Sequence, residues 1–236
     1  MRQSVLDAAA QVRAAFGSVD LVVANAGIML GAPFEQAEID EWDQMVGTNI
    51  NGLLYTGRAF IDDLLAAAGA GRRADLVFVG SIGGHAAFAN YGVYCATKAA
   101  VAHLTRTLRT ELGPRGVRVK NIEPGFTGTE LGAGMRDDTR RAELAGWREG
   151  LEILLPEDIA DAIAFAVSAP RRVTSPNSSS YPPNRDDRGL PPKPFGGSGG
   201  LDPCRGTAAN RHLATSRRTR VTSRASRVAI RFIRFG

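Results

Sequence analysis

Apolar residues in this chain follow two rhythms, and the rhythms alternate. Over residues 3–16, Val5, Ala9, Val12 and Phe16 recur at three- and four-residue spacing, which predicts a helix with one apolar face and Gly17 as its stop. DLVVANAG (20–27) is instead a short continuous apolar run closing on a glycine turn, the pattern of a strand buried in a parallel sheet. The helical period returns over residues 40–68 through Trp42, Met45, Val46, Ile50, Leu53 and Leu54. DLVFVGS (75–81) predicts a second buried strand, residues 91–113 a long helix ended by Gly113 and Pro114, and VRVKNIEPG (117–125) a third strand. A last helix is predicted over 156–169, with acidic residues in its first turn. Strand and helix alternate throughout, which predicts an α/β fold with a doubly wound parallel sheet.

Beyond about residue 172 the period disappears. TSPNSSSYPPNRDDRGLPPKPFGGSGG is rich in Ser, Pro and Gly, and Arg, Ser and Thr dominate the remainder of the chain. Such a composition cannot bury enough apolar surface to offset the entropy of ordering the backbone. Residues 1–173 are therefore predicted to form the folded unit, and 174–236 a basic, low-complexity, mostly disordered tail.

Charge sharpens that division. The formal net charge of +5 hides 15 Lys+Arg against 21 Asp+Glu in residues 1–170, a net of −6, and 14 against 3 in residues 171–236, a net of +11. A basic tail could hold phosphates, but it contains no nucleic-acid reading motif, so a nucleic acid is not an expected partner. Two cysteines, Cys95 and Cys204, are too few for a disulfide framework, and no apolar run approaches membrane-spanning length. A cytoplasmic location is expected.

The candidate chemistry lies in GVYCATKAA (92–100), where Tyr94 and Lys98 stand at i and i+4 and so share a helix face. A Tyr-x3-Lys pair alone arises by chance roughly 0.4 times in a chain of this length; requiring a serine thirteen residues earlier lowers this to about 0.03. Ser81 is that serine, and it ends the predicted strand 75–81. In open α/β sheets ligands bind at the carboxyl ends of strands. A phenol that works as acid and base near pH 7 needs about 4 kcal/mol of phenolate stabilisation. One ammonium at ~4 Å supplies about that much at an effective dielectric constant near 20. Serine would then hold a carbonyl oxygen while tyrosine passes the proton. His85 and His103 lack Cys or carboxylate partners at metal spacing, so no metal site is expected. Cys95 reads as a small packed hydrophobe, Trp42 as core and Trp147 as part of a lid.

Together with ANAG (24–27), TNING (48–52) and IEPGFTGTE (122–130), this trio resembles the short-chain dehydrogenase/reductase family over residues 3–172. The resemblance implies that Tyr94 is the general acid/base, that Lys98 lowers its pKa and holds the nicotinamide ribose, and that Ser81 orients the substrate carbonyl. It further implies that Asn49 keeps a kink in its helix and anchors a relay water, and that Asn25, Ala26 and Gly27 wall the adenosine side. Pro124 and Gly125 would face the nicotinamide and Thr129 would bond its carboxamide. Residues 130–155 would form the substrate lid. The implied activity is interconversion of a secondary alcohol and a ketone or aldehyde with NADP, or NAD, as cofactor. A homo-oligomer paired through helices 40–68 and 91–113 is also implied.

The family's cofactor site opens with a strand, a TGxxxGxG turn and a helix N-terminus. The sequence reads as lacking that unit, since GSIGG (80–84) is the serine-bearing turn and GGSGG (196–200) lies in the tail. Met1 would fall where the family has its third helix, so the expected Rossmann-like sheet is incomplete in its N-terminal half. At the other end, TSPNSSSYPPNR read two bases on with G/C-rich codons becomes Leu-Ala-Glu-Leu-Val-Val-Val-Pro-Ala-Glu-Gln, an apolar strand where the family closes its sheet. The tail is thus read as out-of-frame translation. Two competing readings stand beside the enzyme: a remnant that binds no cofactor, and a nucleic-acid binder acting through the tail.

Overall fold

A computed structural model describes residues 1–173 and 178–180. The tail beyond Ser180, with its expected disorder and basic charge, lies outside the described residues. Helix α1 (Arg2–Phe16) leads into β1 (Leu21–Ala24), and α2 (Ile39–Val46) continues through a π-helical segment, Gly47–Gly52, into α3 (Leu53–Gly69). Strand β2 (Asp75–Val79), α4 (Gly92–Leu112) and β3 (Arg118–Pro124) follow, then α5 (Asp138–Arg148), α6 (Pro156–Ser168) and β4 (Ser178–Ser180). The four strands are parallel and in the order β1-β2-β3-β4, with Leu21 opposite Asp75, Asp75 opposite Arg118 and Ile122 opposite Ser178. Three residues assigned to the tail by composition therefore extend the sheet. This is the Rossmann-like parallel α/β architecture expected from the alternating rhythms.

Two apolar layers flank the sheet. On one face Ala9, Leu53, Phe60, Leu64, Val101 and Leu112 from α1, α3 and α4 close over Val22, Leu76, Phe78 and Val119. On the other, Ile159, Ile163, Ala166 and Val167 of α6 cover Val77 and Ile122. Alternate residues of each strand point to opposite faces, which is why Leu76 and Val77 join different layers. Arg118 locks α6 in place: its guanidinium donates to the carbonyls of Val167 (2.9 Å) and Ala169 (2.7 Å) at the helix end and to Asp75 (2.6 Å). Those donors satisfy carbonyls that have no partner inside a helix terminus.

Some apolar positions depart from the periodic reading. Phe16 is 67% exposed, while Val46 and Leu54 are each 41% exposed. Phe16 is the last residue of α1, and the π segment rotates the helical faces between Val46 and Leu54. β1 is also less enclosed than its apolar run implies. Leu21 and Val23 are only half-buried, because β1 pairs with β2 alone among the described residues.

Candidate active site

Three of the carried-over segments lie at carboxyl ends of neighbouring strands: Asn25–Gly27 after β1, Ser81 after β2, and Pro124–Gly125 at the end of β3. Ser81 opens a tight 3-10 turn over Ile82–Gly84, and its hydroxyl accepts from the Gly83 N–H at 3.0 Å. The turn lies hard against α4. A Cβ on Gly84 would stand 2.9 Å from the Lys98 carbonyl oxygen, and one on Gly83 would stand 3.2 Å from the Tyr94 ring. Both glycines are needed for that approach. It sets the Ser81 hydroxyl beside the Tyr94 ring: the same Cβ on Gly83 would stand 3.3 Å from Ser81 Oγ.

Asn49 occupies the π segment and is 1% exposed. Its amide accepts from the Ile28 N–H (2.9 Å) and donates to the Ile28 carbonyl (3.0 Å) and to the Thr97 hydroxyl (3.1 Å). Thr97 in turn donates to the Tyr94 carbonyl (2.7 Å). The widened turn at 47–52 thus ties the loop after β1 to the helix bearing Tyr94 and Lys98, as π-bulges at functional sites often do.

Burial dominates the electrostatics of the pair. Burial pushes the Tyr94 phenol up to about 12, with the Ser81 hydrogen bond pulling the other way and the Cys95 thiol adding a small upward push. Burial also brings the Lys98 ammonium down to about 8. Lys98 donates to the Val79 carbonyl (2.9 Å), and its Nζ is 5.8 Å from the centre of the Tyr94 ring. Burial is the largest influence on both groups, and it disfavours the charged form of each.

The remaining carried-over residues are less tightly connected. Asn25 and Ala26 are exposed and Gly27 half-buried; a Cβ on Gly27 would stand 3.4 Å from both Lys98 Nζ and Asn49 Oδ1. Thr129 is exposed on the loop after β3, where its hydroxyl accepts from the Leu131 N–H at 3.3 Å; no bond joins it to Ser81, Tyr94 or Lys98. Over Tyr94 and Tyr91 lies a layer of Met29, Met45, Met135 and Leu144 with Phe88, Phe126 and Trp147 packed against it. Trp147 belongs to α5 within the predicted lid, its ring 5.7 Å from that of Tyr91 and 6.4 Å from that of Phe126.

One sequence reading needs correcting. The letters of the cofactor turn do occur, as TGTELGAG at residues 127–134. Their setting is not that of a phosphate cradle. The stretch follows β3 inside the lid, and the next helix, α5, has its first N–H groups already capped by the Asp137 carboxylate. Gly132, at φ +92°, faces Leu144, Met135 and Met29, so its lack of a side chain serves apolar packing. Sequence reasoning also passed over Asn121 and Glu123. Their signal was legible, since an amide and a carboxylate interrupt an otherwise buried strand.

Comparison with known proteins agrees with this geometry. An uncharacterized oxidoreductase of Staphylococcus aureus strain USA300 is 34% identical over 158 residues, covering 67% of this chain and 62% of the relative. The chain thus spans less than two thirds of the length of that relative. Among solved structures, an alcohol dehydrogenase from Thermococcus sibiricus complexed with 5-hydroxy-NADP superposes with a TM-score of 0.64 at 27% identity, over 76% of this chain and 70% of that one. A 3-ketoacyl-(acyl-carrier-protein) reductase from Brucella melitensis complexed with NADH gives a TM-score of 0.67 at 27% identity, over 76% and 72%. The short chain dehydrogenase family model matches residues 1–140, a span that holds the Asn49 turn, the Ser81 turn and the Tyr94–Lys98 helix. The chain belongs to the short-chain dehydrogenase family.

Proposed function

We propose that this chain carries the proton-transfer site of a nicotinamide-dependent oxidoreductase that interconverts a secondary alcohol and a ketone or aldehyde. The observation that carries the reading is the placement of Ser81 at the carboxyl end of β2, on a turn packed against the Tyr94 ring, with the buried Lys98 one helical turn from that tyrosine. Two hydroxyls converging on one point can hold a carbonyl oxygen, Ser81 by donating to it and Tyr94 by delivering the proton.

The residues present fit the ribose half of the cofactor. Lys98 is 6% exposed, and one of its three N–H donors goes to Val79, leaving the others for hydroxyl oxygens next to the half-buried Gly27. When bound, the nucleotide supplies the hydride and, when oxidised, a positive charge near the phenol. Bringing Tyr94 from about 12 to near 7 requires about 7 kcal/mol. Lys98 reoriented from Val79 to ~4 Å from the phenolate supplies about 4 kcal/mol of this, and the Ser81 hydroxyl, which favours the phenolate, adds to it. Asn49 and Thr97 hold α4 at a fixed distance from the loop that receives the nucleotide. Pro124, Gly125 and Thr129 are proposed to line the nicotinamide side, and Asn25, Ala26 and Gly27 the adenosine side.

NADP is proposed over NAD because the body of the chain resembles the NADP-using alcohol dehydrogenases. A homo-oligomer is proposed through α2–α3 and α4, where Val46 and Leu54 stand 41% exposed. No helix among the described residues is long and apolar enough to cross a membrane, and a cytoplasmic protein is proposed. The test is titration of the purified full chain with NADPH and NADH, followed by tryptophan fluorescence (Trp42 and Trp147), and then loss of reduced-nicotinamide absorbance with a ketone panel. Micromolar quenching with turnover is the expected result; neither quenching nor turnover would leave the non-catalytic remnant as the correct reading.

A further inference from the structure

β3 carries an amide and a carboxylate where a strand buried on both faces ordinarily carries apolar residues. Asn121 and Glu123 are each 1% exposed, and like Val119 they project to the α3–α4 face. A buried carboxylate is costly unless it is hydrogen-bonded. Glu123 Oε1 accepts from the Asn121 amide (2.8 Å) and from His85 Nε2 (2.7 Å). The two donors stand at opposite ends of the turn that bears Ser81. Asn121 lies over Gly80, where a Cβ would come within 2.6 Å of its Oδ1, and the Gly80 N–H donates to the Ile122 carbonyl at 2.7 Å. At the far end, the His85 N–H donates to the Ile82 carbonyl (2.9 Å), so a pull on His85 is transmitted to the 3-10 turn itself. One carboxylate oxygen thus holds both the entry and the exit of the Ser81 turn.

We propose that Glu123, acting through His85 and Asn121, is a positioning residue that sets where the Ser81 hydroxyl stands against the Tyr94 phenol. The proposal rests on the reading of Ser81 and Tyr94 as the carbonyl-binding pair. The arrangement answers a mechanical need. The turn contains Gly83 and Gly84, whose backbones lack the conformational restriction a side chain would impose, and a serine on such a turn holds its rotamer and height only if the turn is clamped. His85 is the accessible member, its side chain 43% exposed, so it can be changed without opening the core. Its Nε2 lies at about the reach of a glutamine amide nitrogen, so glutamine can take over the donation to Glu123.

The experiment compares full-length His85→Ala and His85→Gln with the wild-type chain. Loss of the clamp is expected to lower kcat for ketone reduction about tenfold in His85→Ala with KM nearly unchanged, and His85→Gln to restore it to within about threefold. Hydrogen exchange at the Gly83 amide, which donates to Ser81 Oγ, is expected to quicken about tenfold in His85→Ala and to stay slow in His85→Gln. The proposal is overturned if His85→Ala matches wild type in Gly83 exchange, or if His85→Gln is as impaired as His85→Ala. A wild-type chain with no turnover overturns the reductase reading alone, and Gly83 exchange in the two variants then decides the clamp by itself.

Discussion

Replacing Lys98 with methionine should stabilise the fold while abolishing catalysis, and the size of the gain can be worked from the burial of the ammonium. An ordinary lysine titrates at 10.5, and in the folded chain burial brings Lys98 to about 8. Between those values the unfolded chain binds a proton that the folded chain has lost. Stability therefore rises with pH across that window, and the penalty is fully present below pH 8. A shift of this size corresponds to a penalty of about 3 kcal/mol at pH 7, falling to about 2 at pH 9 and under 1 above pH 10.5. Methionine fills nearly the same volume without a charge. It forfeits the hydrogen bond to Val79, worth about 1 kcal/mol, so the net gain is about 2 kcal/mol at pH 7 and about 1 kcal/mol at pH 9. Urea unfolding of both proteins at the two pH values measures the difference directly, provided the transitions are two-state with equal slopes. If the wild type and Lys98→Met keep a constant separation from pH 7 to 9, the ammonium is not held in a desolvated site and the account of Lys98 is wrong. The expected outcome places Lys98 among residues that trade stability for activity.

Ser81→Ala should reduce kcat for ketone reduction by about 10² to 10³. It should also raise the Tyr94 phenol further, seen as a later tyrosinate absorbance change on alkaline titration, since the Ser81 hydroxyl is what opposes burial there. Two glycines should respond with opposite signs. Gly84→Ala drives a methyl against the rigid Lys98 backbone and should cost about 1–3 kcal/mol. Gly146→Ala, inside α5 with nothing within 4 Å of the new atom, should add about 0.5–1 kcal/mol, both read from thermal melts.

Periodicity located α1, α4 and α6 and the outer ends of α2–α3 to within about two residues, because each buries a single face whose spacing survives in the letters, but it missed α5, where only Leu144 is buried and the residues were read as lid. It failed at Phe16, the exposed last residue of α1, and at Val46 and Leu54, where a π turn rotates one helical face relative to the next. The Ser81, Tyr94 and Lys98 constellation was legible because two of its members share a helix face and the third ends a strand. The direction in which Lys98 points was not legible, since Val79 lies nineteen residues away and nothing in the local sequence favours its carbonyl over the phenol. His85 and Glu123 are 38 residues apart, joined only by strand register and turn geometry. The TGTELGAG stretch shows the opposite failure, in which the letters of a phosphate turn occur within a loop where Gly132 packs against methionine and leucine. Such a motif has meaning only with its strand before it and its helix after it.

The position of β1 has a consequence for handling the protein. As the terminal strand of the described sheet it bonds to β2 on one side, and its outer row of backbone N–H and C=O groups has no strand partner among the described residues. Its four residues, Leu21–Ala24, include no charge and no proline, the two features that ordinarily discourage another chain from adding a strand. The same backbone that delivers Asn25–Gly27 to the site is therefore a template for edge-to-edge association. Concentration and colloidal state accordingly become variables to control in every measurement made on this chain.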